Sequence, residues 1–284
     1  MTRRLLFLLP LLSLFFLNSC GEYNAAFKHG DAEYKYEVAK ACYVRGKYVH
    51  AQELFNNLVI PMKGTGYAEE CMYMLAMSAY MSGDLETAWT WFRKYYQGYP
   101  RGLYIEEARF YCARSMFESV PDARLDQSIT HTALTELETI LEYYPDTKLR
   151  SQVQEMIQQL QDHLVDKELR TCQLYYDLGS YVGNSTGGGS NYEACIITAE
   201  NALREYPFAS PEFREKFLIL SLRSRYHLAR QSVSEKQAER FRQTVDDYYA
   251  FANEFPESEY LSEAQRYLTA SQKALKGLPL DEKE

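Results

Sequence analysis

An all-α solenoid of stacked two-helix units is the fold class this sequence predicts, on three observations. One side-chain pattern recurs every 37 residues: Glu33, Tyr36, Ala39 and Tyr43 return as Glu70, Tyr73, Ala76 and Tyr80, then as Glu107, Phe110, Ala113 and Phe117. Aromatic-proline pairs follow at Tyr99-Pro100, Tyr144-Pro145, Tyr206-Pro207 and Phe255-Pro256. A small residue precedes three of those prolines by twelve positions, at Ala88, Ala133 and Cys195. A fixed period of this length marks units that bury their apolar faces on their neighbours and leave a long concave surface for binding.

The chain opens on Thr2-Arg3-Arg4, an apolar run over residues 5–17, and Asn18-Ser19-Cys20. A basic start, a run of this length and a small residue before the cut predict a signal peptide over residues 1–19. The run is short for a bilayer, which makes a permanent transmembrane helix the weaker reading. Leu17-Asn18-Ser19-Cys20 resembles a bacterial lipobox; the other reading is a chance cysteine near an ordinary cleavage site. The resemblance implies acylation of Cys20, with residues 20–30 as a lipidated tether. More than one acyl chain makes such anchoring stable. Gly21-Glu22 follows the cysteine where an Asp would retain an enterobacterial lipoprotein in the inner membrane, so the expected address is the outer membrane.

Each first helix carries its alanine three residues after one aromatic and four before the next, on one face, where a second helix can approach closely. Gly46-Lys47-Tyr48 and Gly83-Asp84-Leu85 supply turns, and the second helices carry Ala51 with Phe55 and Ala88 with Phe92. Proline cannot continue a helix and biases the preceding residue away from helical geometry, so each aromatic-proline pair closes a unit, with Pro61 an irregular first member. This order resembles the tetratricopeptide repeat, which implies a right-handed superhelical solenoid. Asp166, Leu169, Cys172 and Tyr176 begin a fourth copy that turns at Gly179 and resumes at Tyr192 after an insertion over residues 180–190. Glu215, Leu218 and Ser221 begin a fifth, in which Arg225 replaces the aromatic. No proline or glycine lies between Thr147 and Leu178, so one long helix or a helix pair links units three and four. About five repeats result, with a C-terminal capping helix from Ser258 to about Lys276. Units one to three are expected over residues 31–146, the linking helix, units four and five and the cap over 147–276, and a disordered acidic tail over 277–284.

The formal net charge is −8, and removing residues 1–19 takes away Arg3 and Arg4 and no acid. Such a chain offers no basic patch to release counterions from a phosphate backbone, so nucleic acid is not an expected partner. Gly187-Gly188-Gly189 lacks the Lys-Ser/Thr of a phosphate loop and reads as a flexible insertion. The five histidines lack zinc spacing. No catalytic constellation, metal site or cofactor is expected. Cys42, Cys71, Cys112, Cys172 and Cys195 form no Cys-x-x-Cys pair, and they are expected as buried thiols that pack as small hydrophobes.

The aromatic ladder is the sharpest functional signal. Residues seven apart on a helix lie about 20° apart around its axis, so Tyr36 and Tyr43 point the same way, as do Tyr73 and Tyr80, and Phe110 and Phe117. With Lys40, Met77 and Arg114 beside them, these residues are the candidate peptide-binding groove, an aromatic trough for an extended peptide that ends in an aromatic residue. The second reading is that the rings are core between adjacent helices, since Ala39 shares their face; periodicity does not separate the two. Glu33, Glu70 and Glu107 are read as first-turn carboxylates favoured by the helix dipole, with an acidic rim as the alternative.

A lipobox followed by about five such repeats resembles the BamD-like outer-membrane assembly lipoproteins. The residues that carry the likeness are Lys47-Tyr48-x-x-Ala51-x-x-x-Phe55, Leu160-Gln161-Asp162-His163-Leu164 before Glu168, and Ala199-x-x-Ala202-Leu203-Arg204-Glu205-Tyr206-Pro207. The chain departs from the family in the insertion over residues 180–190, in eight extra residues around Asp122, and in an extended fifth unit. The resemblance implies a non-enzymatic subunit of the outer-membrane β-barrel assembly machinery, facing the periplasm on a lipid anchor. It would dock on the central barrel protein and other subunits and receive unfolded outer-membrane protein segments. An envelope scaffold that coordinates peptidoglycan or other outer-membrane processes shares the fold and is the alternative.

Overall fold

The computed structural model describes residues 19–181 and 190–280, apart from the side chains of Ser19 and Cys20. The signal peptide, the Gly187-Gly188-Gly189 run, residues 281–284 of the tail and the Cys20 thiol therefore lie outside what it describes. Among the described residues there are twelve α-helices and no strand. They are α1 (Ser19–His29), α2 (Ala32–Val44), α3 (Tyr48–Leu58), α4 (Ala68–Ser82), α5 (Leu85–Gly98), α6 (Ile105–Phe117), α7 (Ser128–Tyr143), α8 (Arg150–Leu178), α9 (Asn191–Glu205), α10 (Pro211–Arg230), α11 (Ser234–Glu254) and α12 (Leu261–Leu275).

Two compact units share these helices, one of residues 1–121 with 126–157, the other of residues 122–125 with 158–284. In the first, each helix from α1 to α7 packs on the next. Its core runs through Ala39 and Cys42 of α2, Ala51, Leu54 and Phe55 of α3, and Cys71 and Leu75 of α4. The small residues predicted to admit a neighbouring helix do so: Ala39, Ala51, Ala76, Ala88 and Ala113 are all fully buried. Burial of such faces, more than propensity, stabilises helices of this length.

Local chemistry fixes the helix ends. Asp31 and Asp84 accept hydrogen bonds from the backbone N–H groups of Tyr34 (2.8 Å) and Thr87 (3.3 Å), capping α2 and α5. Gly83 closes α4 at φ +82°, in the left-handed region that glycine enters without a Cβ clash. The four residues before proline share one geometry: Tyr99, Tyr144, Tyr206 and Phe255 have ψ of 68°, 68°, 65° and 67°. The following proline ring bars these four residues from the helical region, while the N–H of Tyr99, Tyr144, Tyr206 and Phe255 still donates to the carbonyl four residues back.

The stretch 147–178 contains a single 29-residue helix, α8, from Arg150 to Leu178. The stretch assigned to the lipid tether contains α1, whose Ala26 is fully buried. In the second unit, Val165 and Cys172 of α8 meet Cys195, Ala199 and Ala202 of α9 and Phe217 and Leu220 of α10. Ile219 and Leu222 of α10 then pack with Phe251 of α11 and Ala264 of α12.

Candidate functional site

The rings at the first ladder position are buried: Tyr36 and Phe110 are each 3% exposed and Tyr73 is 7%. Tyr36 meets Phe55 edge-on at 6.2 Å, and Tyr73 meets Phe92 in the same way at 6.0 Å, one repeat later. At the second position Tyr43, Tyr80 and Phe117 are half-buried. Tyr43 lies against Tyr48 and Tyr80 against Tyr111, with centroids 5.4 and 5.1 Å apart.

Each buried tyrosine reaches a carboxylate of the next first helix. Tyr36 hydrogen-bonds Glu70, and the Tyr73 hydroxyl donates to Glu107 Oε2 at 2.8 Å. Burial, reinforced by these carboxylates, pushes both hydroxyls far above the ordinary tyrosine range, so they act as donors. Lys40 Nζ completes the first link, 2.9 Å from Glu70 and 5.1 Å from the centre of the Tyr36 ring. The bond from Tyr36 and then that salt bridge hold the Glu70 carboxyl below its ordinary value. Phe110 has no hydroxyl, so the series stops there.

A second carboxylate row, one residue earlier, escaped sequence reasoning. Glu69 Oε1 accepts from the Tyr95 hydroxyl and from the Leu103 N–H, both at 2.6 Å. Glu106 Oε1 accepts from Thr147 Oγ1 at 2.5 Å. Both carboxylates tie down the loop that follows the next second helix. A Cβ on Gly102 would lie 2.5 Å from the Tyr95 hydroxyl and 2.8 Å from Glu69, so a larger residue there would displace these two hydrogen-bonded groups. The repeated pairs Glu69-Glu70 and Glu106-Glu107 were the available signal.

These clamped loops shape a cavity of about 850 Å³ between α4, α6 and the segment after α7. Tyr73, Met77, Leu103, Phe110 and Tyr111 form its apolar wall, and Glu106, Glu107, Arg114, Asp146 and Lys148 add charge of both signs. Of the predicted groove residues, Tyr73, Met77, Phe110 and Arg114 thus come together. Tyr36 lines a separate cavity of about 370 Å³ with Glu33, Met62 and Tyr67. Arg114 Nε is held 2.8 Å from Glu118 Oε1, which also accepts from the Tyr80 hydroxyl at 2.7 Å.

This surface offers aromatic contact, charges of both signs and anchored backbone. The five thiols, Cys42, Cys71, Cys112, Cys172 and Cys195, are all buried and free, and burial pushes Cys71 and Cys112 up to about 12. Among the described residues no group of three or more His, Cys, Asp or Glu side chains could hold a metal ion.

The family model described as "YfiO: Outer membrane lipoprotein" matches residues 28–184, more than half the chain. The chain belongs to the YfiO outer membrane lipoprotein family. No curated protein matches it. The span typical of YfiO contains the whole cavity, and no helix among the described residues is long and apolar enough to cross a membrane.

Beyond the YfiO-matched span, the second unit combines ring contacts, such as Tyr226 with Tyr267 at 4.8 Å, with ion pairs. Arg223 donates twice to Glu263, at 2.7 and 2.6 Å, and lies over Tyr176 and Tyr260. Arg225, which stands where the ladder had an aromatic, pairs with Glu200 and lies 2.5 Å from Asp247.

Proposed function

We propose that this YfiO-family lipoprotein is a non-enzymatic subunit of the outer-membrane β-barrel assembly machinery. Its helix pairs are read as about five tetratricopeptide repeats of a right-handed solenoid with a C-terminal cap, anchored through acylated Cys20 and facing the periplasm. The first three repeats receive segments of unfolded outer-membrane proteins, and repeats four and five dock on the central barrel protein and other subunits. The observation that carries the substrate half of this reading is the cavity of about 850 Å³, with its aromatic wall and mixed charges, inside the family-matched span. An extended peptide with aromatic side chains gains apolar area there, and large rigid rings dominate such contacts.

The candidate groove is Tyr36, Lys40, Tyr43, Tyr73, Met77, Tyr80, Phe110, Arg114 and Phe117, with Leu103 added from the structure. Leu103 is the useful probe because it lines the cavity yet is 82% exposed, so its replacement leaves the core intact. Leu103→Asp should weaken binding of a peptide ending in an aromatic residue, measured by fluorescence anisotropy, with unchanged far-ultraviolet dichroism. Undiminished binding would remove the cavity from the substrate path. Copurification with cell-wall material instead of barrel-assembly components would favour the envelope-scaffold reading.

A further inference from the structure

Helix α1 is fastened to the first unit. Ala26 is fully buried, the Tyr23 ring stacks on His50 at 4.0 Å, and the Tyr23 hydroxyl donates to Glu53. At its N-terminal end Glu22 forms a salt bridge of 3.0 Å with Arg45, in the turn between α2 and α3. Position 20 precedes Glu22 by two residues, about 3 Å of helical rise. The anchored residue and the α2–α3 turn are therefore neighbours, and α1 is held in place by its contacts with α3.

That turn has the chemistry of a membrane contact. Val44 is 83% exposed and Val49 57%, flanking Arg45 and Lys47. Single exposed valines are unremarkable. Here two of them flank two cations beside the anchor. Residues 38–50 contain Lys40, Arg45 and Lys47 and no acid; Lys40 is paired with Glu70 away from the turn, and Arg45 keeps half of its side chain exposed beside its partner Glu22. Basic side chains next to an acyl anchor are drawn to anionic headgroups, while short apolar side chains enter the interface.

We propose that the α2–α3 turn, residues 44–49, rests on the bilayer beside the acyl anchor, with Val44 and Val49 in the interface and Arg45 and Lys47 toward anionic phospholipid headgroups. This orients the first unit on the membrane surface, instead of leaving it on a free tether. The inference rests on acylation of Cys20, so the experiment reads the two separately.

The full-length acylated protein is incorporated into vesicles of phosphatidylethanolamine and phosphatidylglycerol. An environment-sensitive fluorophore is placed at Val44→Cys, with Ile60→Cys as comparison. Ile60 is 84% exposed and lies beyond the far end of α3, some 16 Å along the helix axis. The five interior cysteines are buried and remain unlabelled. The Val44 label should shift to the blue and be quenched by nitroxide-bearing lipid, the Ile60 label should do neither, and omitting phosphatidylglycerol should reduce the Val44 shift. Vesicle-bound protein with equal signals at the two positions, shifted or not, overturns the proposal while leaving the anchor in place. An intact mass without acyl chains, together with failure to float with vesicles, overturns the anchor and the proposal with it.

Discussion

Tyr73 shows how one side chain serves packing and the groove together. Its ring stacks on Tyr104 at 4.3 Å and meets Phe92 edge-on, its hydroxyl holds Glu107, and its edge lines the cavity. Removing only the hydroxyl in Tyr73→Phe forfeits one hydrogen bond, a loss of about 0.5–1.5 kcal/mol in urea unfolding. Emptying the site in Tyr73→Ala should cost about 3–5 kcal/mol. Equal effects of the two changes would mean that the ring adds nothing. The acid response follows from carboxylates with lowered folded-state values: Glu70, through Tyr36 and then Lys40, and Glu263, through Arg223. A depressed value means that the folded state holds the charged form more tightly than the unfolded chain does. Their contribution is thus present above the unfolded carboxylate value of about 4.3 and is lost as pH falls through the lowered folded value. Glu70→Gln should make the fall of the urea midpoint between about pH 6 and pH 3 shallower, and an unchanged slope would exclude Glu70 from the acid transition.

Among the elements, the same short list of residues recurs because each helix pair meets the same packing problem. Alanine stands where helices approach most closely, and Ala76 is fully buried between aromatic neighbours. Ala76→Leu adds volume to a filled site and should destabilise by about 1–3 kcal/mol, measured by thermal or urea unfolding; full tolerance would mean that the pairs pack loosely. This part of the fold was legible because side chains 37 residues apart answer one another, and the prolines fixed four helix ends with nearly identical ψ values. The ladder itself was legible only in part. Periodicity placed Tyr36 and Tyr43 on one face, but burial separates them, since depth depends on which neighbouring helix covers each turn. Glu69 and Glu106 were not found because a carboxylate in a first helical turn reads equally well as a dipole partner; only the loop folding back shows what it holds. Helix α1 gave little sign of itself, with one fully buried residue, Ala26, and contacts supplied from elsewhere in the chain.

For the molecule as a whole, family and chemistry lead in one direction. An outer membrane lipoprotein of the YfiO family carries a peptide-sized cavity in its first unit, and its second unit adds to its ring contacts ion pairs such as Arg223–Glu263 and Arg225–Asp247. Apolar contact suits unfolded chains of many sequences, whereas fixed ion pairs keep a surface in one shape for a defined partner. The proposed division of labour, substrate on the first unit and machinery on the second, is most directly tested by site-specific photocrosslinking in native membranes. A photoreactive residue at Leu103, and another at Phe208 (82% exposed in the second unit), would be followed by identification of the captured proteins. The account predicts unfolded outer-membrane proteins at Leu103 and components of the barrel-assembly machinery at Phe208. Capture of cell-wall proteins, with no assembly component at either position, would contradict it.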